Sequence, residues 1–296
     1  MTDRVFSNAD GELLIVPDQG SLLIHTELGP LSVEPGSIAV IPRAIKFRVE
    51  IQAGDTPGTP GFVRGYVCEN FGTPFGLPEL GFIGQSGLAN PRDFRAPVAA
   101  YDDTEGAVEV VHKLGGRLWS ATYDHSPLDV VAWHGTGVPY VYDLHNFQVL
   151  SSANYDHVDP SRYTVLTSQT ATPGLGNVDF VAVLPEWLVQ EHTFRPPYFH
   201  RNVSSELVGI VEQPRSGPGY DPGSLALTNM LTPHGLGAAS WEGATNAPEQ
   251  PVKTDGLMVM LETQWPIKRT AQAIHAVSDR DETRLDADQL QSHFRR

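Results

Sequence analysis

Two histidines and one carboxylate lie near each other in the second half of the chain, in a combination that suits a metal. His200 and Glu206 belong to the stretch Phe-Arg-Pro-Pro-Tyr-Phe-His-Arg-Asn-Val-Ser-Ser-Glu, and His234 follows in Leu-Thr-Pro-His-Gly. Two imidazoles and one carboxylate hold non-haem Fe(II) on one face and leave positions open for substrate and dioxygen. Zinc accepts the same ligand types, and Mn(II) also suits them. Because a chain with eleven histidines offers such triplets by chance, the pattern alone is weakly specific.

A further histidine, His134, follows a tryptophan in Val-Val-Ala-Trp-His-Gly. We expect Val130 to Trp133 to form a strand, so that His134 stands at its end. A histidine there is a candidate base that removes a proton from a phenol. The alternative is a structural imidazole bonded to a carbonyl group, and the residue pattern alone favours that alternative.

Composition excludes several classes of protein. The 296 residues carry a formal charge of −15, which argues against a nucleic acid or an anionic membrane as partner. No apolar run has the length of a membrane span, and no targeting segment opens the chain. The single cysteine, Cys68, cannot form an intrachain disulfide, so we expect a soluble, cytoplasmic protein. Since Cys68 lies in an apolar run, we expect a packed thiol rather than a nucleophile.

The spacing of turn residues predicts an all-β fold. With 28 glycines and 24 prolines, the chain favours short strands over long helices. In the first part, 11–26 reads as a β-hairpin, Ile38 to Ile41 as a buried strand, and 71–95 as a packed, irregular connection. The spacing of glycine, proline and the alternating strand after Glu34-Pro-Gly is similar to a cupin signature. Metal-binding cupins have a histidine at the position that falls near Phe47. The apolar residue at that position predicts a filled, metal-free barrel.

The second part of the chain reads as another set of short β-strands. We therefore divide the chain into an N-terminal lobe with its connection, 1–106, and a C-terminal lobe with the metal site, 107–296. Besides Val130 to Trp133, the predicted strands are 108–113, 117–123, 148–152, 164–168, 180–184, 206–211 and 256–262.

Several segments together resemble the homogentisate 1,2-dioxygenase family. They occur in the family's order along almost the entire chain: Gly-Glu-Leu-Leu-Ile-Val-Pro from Gly11, Leu-Ala-Asn-Pro-Arg-Asp-Phe from Leu88, Val-Val-Ala-Trp-His-Gly from Val130, Thr-Phe-Arg-Pro-Pro-Tyr-Phe-His-Arg-Asn from Thr193, Leu-Thr-Pro-His-Gly from Leu231, and Ser-His-Phe from Ser292. This ordered set is far more specific than a metal triplet alone.

The resemblance implies a cupin-type (RmlC-like) fold of two β-barrel or jelly-roll lobes, and conversion of homogentisate and dioxygen to 4-maleylacetoacetate in tyrosine and phenylalanine catabolism. By position it implies Fe(II) held by His200, Glu206 and His234, with His134 as the proton acceptor. It also implies a homo-oligomer, a trimer or a hexamer built from trimers.

The chain departs from the family pattern in three places. It begins just ahead of the Phe-Ser-Asn-Ala-Asp-Gly match, so we expect the first lobe to be partial relative to the family. A substrate-contacting tyrosine of the family falls near Pro214 and Arg215, where no tyrosine stands, and Thr228 occupies the position of a further active-site histidine. Arg215 and Tyr198 are therefore candidates for the pocket, beside Thr228 and His234, although a solvated loop arginine and a packed tyrosine are the alternatives.

These departures leave two other hypotheses open. The altered pocket suits a related dioxygenase that acts on a different hydroquinone or catechol-type aromatic acid. A non-catalytic cupin-like binding protein is the other hypothesis. The retained ligand residues speak against it, because a scaffold has no physical need for an uncompensated ligand cluster in a pocket.

Overall fold

The computed structural model describes residues 4–52, 61–79, 87–149, 160–172, 174–190, 199–213, 221–276 and 289–292. The strands of these residues are β1 (Arg4–Asn8), β2 (Glu12–Gln19), β3 (Leu22–Thr26), β4 (Gly29–Val33), β5 (Ser37–Ile41), β6 (Phe47–Ile51), β7 (Arg64–Asn70), β8 (Gly87–Leu88), β9 (Glu105–Leu114), β10 (Arg117–His125), β11 (Tyr140–Asp143), β12 (Gln148–Val149), β13 (Thr164–Gln169), β14 (Gly176–Val183), β15 (Trp187–Leu188), β16 (Ser205–Glu212), β17 (Leu225–Thr228), β18 (Val252–Lys253) and β19 (Leu257–Thr263). The helices are α1 (Ala238–Asn246), α2 (Ala271–Ala276) and three 3-10 turns at Pro91–Asp93, Leu144–Asn146 and Pro160–Tyr163. The predicted all-β class is confirmed.

Three larger sheets stack on one another. The outer sheet has the order β10-β9-β1-β6-β3-β4, and the middle sheet has the order β11-β5-β2-β7. The third, which we call the ligand sheet, has the order β13-β14-β19-β16-β17. Two smaller pairs, β12-β8 and β15-β18, complete the sheets of the described residues.

The centre of the middle sheet, formed by β2 and β5, is buried on both faces because these two strands carry nearly continuous apolar runs. Every residue of β5, Ser-Ile-Ala-Val-Ile, is buried, which confirms the predicted buried strand. Successive side chains of a strand point to opposite faces. Accordingly, Ala39 and Ile41 pack in the core shared with the outer sheet, and Ile38 and Val40 pack in the core shared with the ligand sheet.

The core between the middle and ligand sheets unites the two halves of the chain. Leu14 comes from the middle sheet, while Phe180, Leu257 and Val259 come from the ligand sheet. Phe75 and Ala89, in the predicted irregular connection, are also buried in this core as expected, whereas Phe71 and Leu77 of the same connection are exposed. This core turns one face of the ligand sheet toward the first lobe and leaves the opposite face for the candidate site.

Polar contacts align the two halves of the chain. The Tyr66 hydroxyl of β7 lies 2.9 Å from the carbonyl oxygen of Ile210 and 2.8 Å from that of Ser224, at the β16-β17 end of the ligand sheet. A Cβ on Gly209 would lie 2.7 Å from the Tyr66 ring, so this close approach requires glycine. The first lobe therefore holds the hairpin that carries Glu206.

The fold differs from two sequence predictions. The predicted hairpin at 11–26 is wrong, because β2 pairs with β5 and β7 while β3 pairs with β4 and β6 in another sheet. The chain crosses between sheets at Gly20, since both flanking strands have apolar surface to bury on different layers. The predicted strand from Val130 to Trp133 is also wrong: this segment is irregular, and the Trp133 indole donates to the carbonyl oxygen of Leu28 at 2.9 Å.

The boundary between 106 and 107 stays a prediction. It falls within β9 (Glu105–Leu114), which pairs in parallel with β1 in the outer sheet. Within the described residues, no helix is long and apolar enough to cross a membrane.

Candidate metal centre

The two histidines of the predicted ligand set meet as partners in an isolated antiparallel bridge. The His200 amide donates to the His234 carbonyl oxygen at 3.0 Å, and the His234 amide donates back to His200 at 3.0 Å. Their ring centroids are 4.3 Å apart, with the ring planes inclined by 57°. The backbone therefore brings both imidazoles to the same place, although they come from separate segments.

The carboxylate enters from the start of β16. Glu206 is only 8% exposed, and its Oε2 lies 3.0 Å from Nε2 of His234. The other ring nitrogen of His234, Nδ1, lies 3.0 Å from the carbonyl oxygen of Thr232. An acceptor at this position favours the proton on Nδ1 and turns Nε2 toward Glu206, as expected for a metal-binding imidazole.

The three side chains form a compact donor set. One ligand atom from each of His200, Glu206 and His234 lies within 4.8 Å of the others. Glu206 and His234 are largely covered, whereas His200 is exposed, so the cluster opens to solvent on the His200 side. The 3.0 Å contact between Glu206 and His234 has the length of an ordinary hydrogen bond and also of two neighbouring metal ligands about 2.1 Å from an ion. The nitrogen and oxygen donors of the set suit a first-row divalent ion.

Two family models cover the chain almost from end to end. The model described as homogentisate 1,2-dioxygenase N-terminal matches residues 1–144, and the model described as homogentisate 1,2-dioxygenase C-terminal matches residues 145–294. The chain belongs to the homogentisate 1,2-dioxygenase family. It is therefore an oxidoreductase of a metal-dependent dioxygenase family, and the resemblance found in the sequence is confirmed.

Solved structures give weaker comparisons. The protein Ylba from E. coli is 9% identical with a TM-score of 0.30, covering 89% of this chain and 72% of that chain. A protein with unknown function from Pseudomonas syringae pv. tomato is 9% identical with a TM-score of 0.27, covering 88% of this chain and 77% of that chain. TM-scores of this size support no conclusion about the function of a homogentisate 1,2-dioxygenase family member.

Thr228, which the sequence resemblance places at a histidine position of the family, lies beside the cluster. It is the register partner of Glu206 in the antiparallel pair of β16 and β17. Directly opposed residues of such a pair point to the same face of the sheet, so the Thr228 and Glu206 side chains are neighbours.

Phe199, next to His200, packs on Gly235, where an added Cβ would lie 2.6 Å from the phenylalanine ring. Gly235 thus allows an aromatic side chain to lie against the segment that carries His234.

The other predicted site residues are not brought to the cluster by the described structure. His134 is exposed in the irregular segment after Trp133, and it is not a member of the ligand cluster found among the described residues. Tyr198 and Arg215 lie outside the described residues. Their roles in a member of this family therefore stay predictions.

The sequence reading missed two polar residues at the cluster. The Asn202 side-chain amide donates to Oε1 of Glu206 at 2.9 Å and to Oε1 of Glu262 at 2.9 Å. Asn202 lies in the same motif as His200 and Glu206, four residues before the glutamate, so its proximity was a usable signal. Glu262 had no such signal, because only the register of β16 and β19 brings it opposite Glu206.

Proposed function

We propose that this protein is an Fe(II)-dependent ring-cleaving dioxygenase that converts homogentisate and dioxygen to 4-maleylacetoacetate, in tyrosine and phenylalanine catabolism. The observation that carries the proposal is the compact cluster of His200, Glu206 and His234 in a chain of the homogentisate 1,2-dioxygenase family. When bound there, Fe(II) would activate dioxygen toward the aromatic ring. The cytoplasm is the proposed location, because a single cysteine gives the chain no disulfide to form.

The three ligand side chains would neutralise much of the charge of the metal ion and fix its position. One carboxylate and two neutral imidazoles contribute a single negative charge, and the Thr232 carbonyl fixes the ring of His234. His134 is the proposed acceptor of the proton that a ring hydroxyl of the substrate releases. His134 is exposed, so shielding it from solvent would require a further element to pack over it. A neighbouring subunit could supply that element, and we therefore include a homo-oligomer, trimeric or hexameric, in the proposal.

A second candidate function has one observation in its favour. Thr228 places a hydroxyl opposite Glu206 at the family's histidine position, which changes the hydrogen-bonding groups beside the cluster. A site built to bond a particular substrate group discriminates strongly against analogues that lack it. A related hydroquinone or catechol-type acid is therefore the second candidate substrate, with Thr228, His234, Tyr198 and Arg215 as the proposed substrate contacts.

A substrate panel tests both candidates. Protein loaded anaerobically with Fe(II) is mixed with oxygenated homogentisate, gentisate or related hydroquinones, while oxygen uptake and product absorbance are followed. Uptake with homogentisate and appearance of the ring-opened product support the first candidate. Uptake only with another hydroquinone transfers the proposal to the second, and absence of uptake with every compound, despite bound iron, contradicts both.

A further inference from the structure

A row of polar residues crosses the ligand sheet at the level of Glu206. Successive register partners are Thr167 and Asp179, Asp179 and Glu262, Glu262 and Glu206, and Glu206 and Thr228. All five side chains therefore point to the same face of the sheet, opposite the face packed on the first lobe. Directly opposed like charges on neighbouring strands are destabilising, so the Glu206 and Glu262 pair needs a compensating partner.

Asn202 supplies that partner. Its Nδ2 lies 2.9 Å from Oε1 of Glu206 and 2.9 Å from Oε1 of Glu262. A carboxamide has two N–H donors, and here each of them is given to a different glutamate. Hydrogen bonds to ionised acceptors are among the stronger ones in proteins, so the amide ties the two carboxylates together in defined orientations.

The remaining polar atoms of Asn202 fix the residue itself. Its Oδ1 accepts from the amide of Ser204 at 3.0 Å, and its carbonyl oxygen accepts from the amide of Leu231 at 2.8 Å. Leu231 has φ of 61°, in the left-handed region that costs a leucine energy unless its surroundings hold it there. Asn202 thus joins the ligand strand, the neighbouring strand and the segment that leads to His234.

The two oxygens of Glu206 consequently have different partners. Oε1 is occupied by the Asn202 amide, whereas Oε2 faces Nε2 of His234 at 3.0 Å. We infer that Asn202 is a positioning residue, anchored by Glu262, that makes Glu206 bind the metal through Oε2 alone. This inference rests on the metal site of the proposed function. A carboxylate that binds through one oxygen leaves the metal one more open coordination position than a bidentate carboxylate does.

Metal affinity and a Co(II) spectrum test the inference without any turnover. Asn202→Ala removes the amide but keeps the backbone contact with Leu231. The matched control is Asn229→Ala, because Asn229 is nearby and bonds to Ser205 and to the backbone of Ile267. Co(II) affinity is measured by chelator competition. The visible spectrum of the Co(II) form reports the coordination number, and a melting curve of each metal-free variant reports the fold.

We expect Asn202→Ala to bind Co(II) roughly 10–100-fold more weakly, the usual effect of losing an outer partner of a ligand. Its Co(II) spectrum should shift toward higher coordination as Glu206 Oε1 becomes free, while Asn229→Ala should keep the parent spectrum. An unchanged affinity and spectrum for Asn202→Ala would overturn the inference, and so would an equal loss in both variants.

Glu262→Ala provides a second route if Asn202→Ala fails to fold. It removes the anchor of the amide, so the Co(II) spectrum should change in the same direction, and a parent-like spectrum would overturn the inference. Where both single variants fold, the double variant should bind Co(II) no more weakly than Asn202→Ala alone, because Glu262 acts through Asn202.

A parent protein that binds no Co(II) would contradict both the metal site and this inference. A parent that binds Co(II) normally but turns over no hydroquinone would fail only the proposed function.

Discussion

His200 and His234 donate their backbone amides to each other's carbonyl oxygens, at 3.0 Å in both directions. In such a hydrogen-bonded antiparallel pair the Cα atoms are about 5.5 Å apart, so the imidazoles are neighbours by virtue of the backbone. The side chains are not needed for this contact. Substitutions of the ligand side chains should therefore remove metal binding while the segments that carry them keep their positions.

Glu206→Gln should abolish specific metal binding without unfolding the protein. The substitution keeps the size of the side chain but removes the charge that faces His234. A metal at 100 times its Kd stabilises a protein by about 2.7 kcal/mol, and this gain should be absent in the variant. Denaturant unfolding with and without Fe(II) or Co(II), under anaerobic conditions, measures it. Glu212→Gln, at the other end of the same strand, is the control and should keep the gain. A full metal-dependent gain in Glu206→Gln would remove it from the ligand set.

His134→Ala should lower turnover and leave metal content unchanged. Loss of a positioned general base costs roughly 10²–10⁴-fold in rate. His134 is exposed and is not a member of the ligand cluster, so iron stoichiometry should equal that of the parent. Steady-state oxygen uptake and iron analysis of the same samples measure the two effects. His275→Ala, at an exposed helical position, is the control. Parent-like turnover in His134→Ala would exclude it as the base.

Thr228→His should shift substrate preference toward homogentisate. The substitution puts an imidazole at the position opposite Glu206, where the sequence resemblance implies a histidine in the family. We expect kcat/KM for homogentisate to rise relative to that for gentisate, since hydrogen-bonding groups control discrimination between such substrates. Leu225→His on the same strand, an odd number of residues away and thus on the other face, is the control. An equal change in both variants would show that position 228 does not contact substrate.

Glu12→Gln should change the pH dependence of stability. Glu12 is buried, and burial raises the pKa of its carboxyl, although the Phe75 amide and the Asn70 side chain donate to it. A raised folded-state pKa stabilises the protein below the unfolded value of about 4.3, and the contribution is lost as pH rises through the folded pKa. The stability of the parent relative to Glu12→Gln should therefore decline as pH rises from 4 toward neutrality. Urea unfolding across this range tests it, and a constant difference would contradict it.

Cys68 should react slowly with thiol reagents in the native protein. Burial raises the pKa of its thiol to about 11, so almost no thiolate is present at neutral pH. A disulfide reagent should react much faster in denaturant than in buffer. Equal rates in both conditions would show that the thiol is accessible and ionised in the folded state.

Local patterns were sufficient for the fold class, for the buried strand β5 and for several other strands. The predicted strands 108–113, 117–123, 164–168 and 206–211 lie within β9, β10, β13 and β16. The run Ser-Ile-Ala-Val-Ile has apolar residues at successive positions, which is typical of a strand covered on both faces, and β5 is such a strand. Strand partners were harder to predict. The runs that became β2 and β3 flank a turn-like segment, yet they join different sheets. The strand β2 pairs with β5 and β7, whereas β3 pairs with β6 and with its neighbour β4. A sequence pattern shows which faces are apolar but not which layer covers each face.

The candidate site shows the same distinction. The types and order of His200, Glu206 and His234 were visible in the sequence because two motifs carry them. The bridge between the two histidines, and the register that brings Glu262 and Thr228 to Glu206, depend on long-range pairing. Asn202 lay within a quoted motif, but its two-fold hydrogen bonding becomes apparent only once Glu262 is placed.

Oxygen consumption by the Fe(II)-loaded parent and by Glu206→Gln, each with limiting homogentisate in an oxygen electrode, is the direct test of the cluster as the catalytic iron site. The parent should consume one dioxygen per homogentisate and form the ring-opened product, whereas the variant should consume none above background. Fully loaded parent protein that consumes no oxygen, or a variant that consumes as much as the parent, would contradict the assignment of this cluster as the catalytic iron site.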